Sequence, residues 1–220
     1  MTFSLLAFDP ETGEWGGGAA TGNLCVGAWV LRGKAGVGLS ASQGALPSTL
    51  WGEDVLDRMA SGSTPEQAVG SVTGADPGRG ERQLAAIGCD GLGAAFTGDA
   101  NVREWGHRVG EGLVVAGNML ATLDVIEAME EAYLAAETAM PGRLIAGLKA
   151  GQQAGSDSRG LMSAALLVLA RNKPPLSLRV DHSDDPITHL GALYERTEDR
   201  AYQEWLARLP TVEQPVPSTR

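Results

Sequence analysis

Short apolar blocks bounded by turn residues alternate along the chain with stretches of helical apolar period. FSLLAF (residues 3–8) and EWGGGAA (14–20) flank DPETG, whose Pro10 and Gly13 are turn formers, so the chain opens on a predicted β-hairpin. CVGAWVL (25–31) and AGVGLSAS (35–42) bracket Arg32, Gly33 and Lys34 and predict a second hairpin, with Lys34 at its turn or strand start. From Pro47 to Met59 the apolar residues Leu50, Val55, Leu56 and Met59 recur at helical spacing. Thr64-Pro65-Glu66-Gln67 then carries a helix start: Thr64 as N-cap, Pro65 at the first helical position and Gln67 placed to close a capping box.

Farther along, RQLAAIG (82–88) and LGAAFT (92–97) surround an Asp-Gly turn, and GLVVAG (112–117) is a further strand running into Asn118. Leu123, Ile126, Met129, Tyr133 and Leu134 mark one face of an amphipathic helix, and a second helix is expected over 141–153. LMSAALLVLA (161–170) is almost wholly apolar and predicts a buried central strand, with LSLRV (176–180) as its partner. A last helix is expected over 186–208, with Leu190, Leu193, Tyr194, Trp205 and Leu206 inward. Strands arrive in antiparallel runs and helices in their own runs, so the class is α+β, and about eight strands with two helical groups fit two stacked antiparallel sheets between helical layers. The organisation expected is one domain over residues 1–208 and a frayed tail over 209–220.

Composition narrows the function. A net charge of -10 and a pI near 4.7 argue against a nucleic-acid or anionic-membrane surface and for a small-molecule or peptide partner. The N-terminus lacks a basic segment leading into an apolar stretch, and no apolar run approaches the ~18 residues of a membrane span, so a cytoplasmic location is expected. Cys25 and Cys89 sit in apolar runs and are expected in the core. Thirty glycines against 5% aromatics call for tight turns and close strand contacts.

MTFSLLAFDPETGE, AGVGLSASQG, DPGRGERQLAAI, AFTG with GHR, GNML and SDSRGLMSAALLV, in that order over about residues 2–182, resemble the bacterial "domain of unknown function 1028" family. The resemblance implies an N-terminal nucleophile hydrolase fold, the αββα sandwich shared with proteasome subunits and penicillin acylase. Enzymes of that fold cut amide bonds with an N-terminal Thr, Ser or Cys whose own α-amine is the base. An α-amine titrates near pH ~8, so a useful fraction is neutral at physiological pH. The family itself has no settled activity.

Thr2 is the position here that fits a nucleophile once Met1 is removed; the competing reading makes it simply the first residue of a strand. Lys34 resembles the lysine that proteasome-type enzymes keep near their nucleophile, against an ordinary solvated turn lysine. Asn118, after a strand and a glycine, suits an oxyanion donor at a sheet end or a cap before the next helix. Gln43, in SASQG, and His107, in GHR, are expected to face substrate, and Asp157 and Arg159 either order a loop or recognise a polar or carboxylate group. The acids of VDHSDDPITH, around His182 and His189, are expected to cap the helix after Pro186 and not to bind metal. GLSASQG is not a nucleophile elbow, and GAWVLRGKAG is one residue too long for a phosphate-binding loop and lacks the following Ser or Thr. The expectation is an amide hydrolase without cofactor or metal, assembled as a C2 homodimer, the commonest oligomer of soluble chains. The competing class is a non-catalytic module holding a small amide, an acidic metabolite or a cell-wall peptide on the same scaffold.

Overall fold

The computed structural model describes residues 2–155 and 160–216. β1 (Thr2–Asp9) and β2 (Glu14–Thr21) form the opening hairpin, α1 (Val26–Trp29) leads to β3 (Leu31–Lys34) and β4 (Gly38–Gly44), and α2 (Trp51–Ala60) and α3 (Pro65–Gly74) follow. After β5 (Arg82–Gly88), β6 (Gly93–Thr97), β7 (Gly106–Gly110) and β8 (Leu113–Asn118) come α4 (Asp124–Ala135) and α5 (Met140–Gln153). β9 (Ser163–Leu169), β10 (Leu176–Val180), α6 (Pro186–Thr197) and α7 (Arg200–Leu206) complete the chain. The strands form a six-stranded sheet ordered β10-β9-β2-β1-β8-β7 and a four-stranded sheet ordered β3-β4-β5-β6, antiparallel at every pairing.

Strand alternation builds the layers. In β1, Phe3 and Leu5 pack with Leu144 and Leu148 of α5, whereas Leu6 packs with Leu39 and Ile87 of the facing sheet. On the outer face of the smaller sheet, Leu84 and Ala86 meet Trp51 and Val55 of α2 and Val69 of α3. The result is an αββα order. Each fully buried Leu or Phe contributes ~1.5–3 kcal/mol of transfer free energy. The small residues of β2 permit the close stacking: a Cβ at Gly16 would sit 2.5 Å from the Met140 sulfur, and one at Gly17 only 3.2 Å from Leu6 Cδ2. At one end the sandwich is sealed by Trp15, whose ring lies 5.2 Å from that of Phe8 and whose indole N–H donates to Gly88 O across the sheets at 3.1 Å.

The helix starts follow their sequence signals. Thr64 Oγ1 accepts from Gln67 N, and Gln67 Oε1 accepts from Thr64 N, closing the capping box of α3. Asp185 caps α6 by accepting from Thr188 N. Other expectations need correcting. Residues 25–31 do not form a strand: Cys25 takes a left-handed backbone (φ 60°), its N–H donates to Asp181 O, and one helical turn intervenes before β3. The long last helix is two, because Asp199 accepts from the N–H groups of Ala201 and Tyr202 and starts α7 anew. α7 buries none of its residues, so Trp205 is exposed, as are Leu134 and Leu193. Cys25 is only half-buried and Cys89, at the tip of the Asp-Gly turn, is exposed. No described helix is long and apolar enough to cross a membrane.

Candidate active site

At the end of the sandwich opposite the Trp15 seal, the layer between the sheets turns polar. Thr2 opens β1 in the middle of the larger sheet, with Thr21 of β2 on one side and Asn118 of β8 on the other; Ser163 of β9 lies beyond Thr21. These four are in the same strand phase as Leu6, Ala19, Ala116 and Ala165, so all point between the sheets. From the smaller sheet Gln43 of β4, Gln83 of β5 and Thr97 of β6 form a matching row, again in phase with the inter-sheet core residues Ala41 and Ala85. Thr2, Thr21, Asn118, Ser163, Gln43 and Gln83 are all buried.

The two rows are joined by hydrogen bonds. Thr2 Oγ1 and Thr21 Oγ1 are 3.1 Å apart, and Gln43 Nε2 donates to Thr2 O at 3.4 Å and to Gln83 Oε1 at 2.6 Å. Asn118 Nδ2 donates to the same Gln83 oxygen at 3.2 Å. Gln83 Nε2 in turn serves Thr97 Oγ1, Gly106 O and Gly117 O at 2.8–3.0 Å. Ser163 Oγ donates to Asn23 O and accepts from Val26 N, tying down the bend that follows β2. At the outer edge, Thr97 Oγ1 and His107 Nδ1 share a 2.8 Å hydrogen bond, and partial burial lowers the His107 pKa below its usual 6.5. Two buried side-chain atoms here, Ser4 Oγ and Gln43 Oε1, have no hydrogen-bond partner among the described residues.

Backbone strain borders the same place. Cys25 and Met119, with φ of 60° and 58°, lie just beyond the ends of β2 and β8, the two strands that flank Thr2. Left-handed geometry at a non-glycine residue costs of order 1 kcal/mol and is typical of functional sites. Gly44, following Gln43, has φ 136°, and a Cβ there would stand 2.5 Å from Glu81 O, so only glycine allows β4 to end in this way.

Of the expected site residues, Thr2, Asn118 and Gln43 come together, and His107 joins through Thr97 and Gln83. Lys34 does not. It pairs with Gly38, Gly38 pairs with Gly88, and Gly88 O receives the Trp15 indole opposite Phe8. Lys34 is therefore at the sealed end, six strand residues or ~20 Å from Thr2. Register sets this distance: Lys34 ends β3 and pairs with Gly38 at the start of β4, the opposite end of that strand from Gln43. Asp157 and Arg159 lie outside the described residues. Among the described residues, no group of three or more His, Cys, Asp or Glu side chains is arranged to hold a metal ion. The sequence pattern does not single out Thr21, Gln83, Thr97 and Ser163, although each is a polar residue in the inward phase of its strand, as in RQLAAIG.

The family model for DUF1028, described as a "family of unknown function", matches residues 2–190. The crystal structure of protein SPO2555 from Silicibacter pomeroyi, of the same family, is 47% identical over 98% of both chains, with a TM-score of 0.94. HslV from Trypanosoma brucei aligns at 13% identity and TM-score 0.46, covering 76% of this chain and 98% of its own. Thiobacillus denitrificans BPH in complex with epoxomicin aligns at 14% identity and TM-score 0.40, covering 83% and 100%. No curated protein matches.

Proposed function

Since the chain belongs to the DUF1028 family, whose activity is not defined, we propose that it is an amide hydrolase with Thr2 as its N-terminal nucleophile after Met1 is removed. The observation that carries this reading is the place of Thr2: the first residue of a central strand, paired with Thr21 and Asn118 on its two sides, its hydroxyl 3.1 Å from that of Thr21 at the polar end of the sandwich. Among the described residues, no carboxylate, lysine or histidine is hydrogen-bonded to Thr2 Oγ1, so the freed α-amine is the base this arrangement calls for.

In the proposed reaction, Thr2 Oγ attacks the amide carbon while its proton passes to the α-amine. Asn118 has a second N–H beyond the one given to Gln83, and this N–H holds the oxyanion. The C–N bond breaks, the amine returns the proton to the leaving nitrogen, and water then hydrolyses the ester with the same amine as base. Gln43 spends its N–H groups on Thr2 O and Gln83, so it positions the nucleophile's backbone. Lys34 has no part in this scheme.

A non-catalytic reading is favoured by one observation: Gln43 Oε1 is a buried acceptor without a partner among the described residues, suited to the N–H of a bound amide. Intact mass after treatment with a β-lactone separates the two. Met1-free protein should gain one acyl group that peptide mapping assigns to Thr2 and that Thr2→Ala abolishes. No adduct on Met1-free protein, or an adduct elsewhere, overturns the hydrolase.

A further inference from the structure

At the sealed end of the molecule, a cavity of about 530 Å³ opens between β2, the turn joining β9 to β10, the start of α5 and the C-terminal helices. That volume falls within the ~300–1,000 Å³ of small-ligand sites. Val168, Leu176 and Leu206 supply an apolar wall, and α7 roofs the space while burying none of its own residues. The Gln203 side chain anchors this roof by donating to Thr197 O at 2.6 Å.

Charge in the cavity is lopsided. Glu14 and Glu198 line it, against Lys173 as the one cation among its lining residues. The Glu14 side chain is only 11% exposed, but its partner Lys173, with Nζ at 2.7 Å, belongs to a side chain that is 60% exposed. The carboxylate is thus part of the buried wall and the ammonium an exposed cap reaching in from solvent. Burial raises the pKa of Tyr194, which also lines the cavity, and the charges of Glu198 and Glu14 raise it further, in keeping with a negative local field.

We propose that this cavity is a binding site for a small organic amine, with the ammonium received by Glu14 and the apolar body laid against Val168, Leu176 and Leu206. Such a ligand reproduces the charge Lys173 supplies and adds an apolar body buried against the cavity wall. The site is independent of Thr2 and of the reaction proposed there.

Phenethylamine, phenethyl alcohol and phenylacetate, titrated into the full chain by calorimetry, test this. The amine should bind saturably and roughly tenfold more tightly than either analogue. Glu14→Gln, which removes the charge, and Leu206→Trp, which fills the space from the roof, should each weaken it by roughly tenfold. Lys173→Ala, at an exposed position, should tighten amine binding because the competing ammonium is gone, a gain that a merely structural role for Lys173 does not give. The proposal is overturned by absent saturable binding, by equal binding of alcohol or carboxylate, or by weaker amine binding to Lys173→Ala.

Discussion

Replacing Gln83 with leucine keeps most of the side-chain volume and deletes both a donor and an acceptor. Gln43 Nε2, Asn118 Nδ2 and the carbonyls of Gly106 and Gly117 then lose a buried partner. Gln83→Leu should cost about 3 kcal/mol in urea denaturation and also slow acylation of Thr2, since both amides flanking the nucleophile are oriented by Gln83. His107 gives a pH signature. Its folded pKa lies below 6.5, so the unfolded chain binds the proton more readily, and stability rises with pH across the window between the depressed value and 6.5. Urea midpoints should therefore fall on acidification through that window, and His107→Gln should flatten the slope. The sequence pointed to Thr2, Asn118 and Gln43, but it hid Gln83, since a glutamine's value depends on what the facing sheet presents to it.

α3 is the element whose boundary was most legible, because a capping box is a local device written in four consecutive residues. Thr64→Ala removes an acceptor from Gln67 N and should cost about 1 kcal/mol in urea denaturation, with the unfolding transition otherwise unchanged. The hairpin β1–β2 and the buried strand β9 were equally readable, from turn residues and an uninterrupted apolar run. α1 was not: CVGAWVL has strand composition, and its helical turn depends on Cys25 N–H finding Asp181 O, a contact 156 residues away in sequence. The same kind of distant partner misplaced Lys34. The turn residues around it predict a turn or strand start for Lys34, but that it ends β3, and which end of the sandwich this occupies, is set by pairing with β4 and β5.

At the scale of the whole molecule, the two ends have opposite characters. One holds the neutral amide and hydroxyl network around Thr2, and the other holds the Glu14–Lys173 pair in the wall of the cavity under α7. Between them the inter-sheet layer is apolar, with the small side chains of Ala19, Ala41, Ala85, Ala116 and Ala165 packed around larger ones such as Leu6 and Leu39. This change of polarity along the strands gives the molecule a direction in which to breathe. Water can substitute for hydrogen bonds at the Thr2 end, but at the Trp15 end parting the sheets exposes aromatic and aliphatic surface. Backbone amide protons of β1, β4 and β5 should therefore exchange with deuterium progressively more slowly from the Thr2 end to the Phe8 end, so that protection along one strand maps the order in which the two sheets come apart.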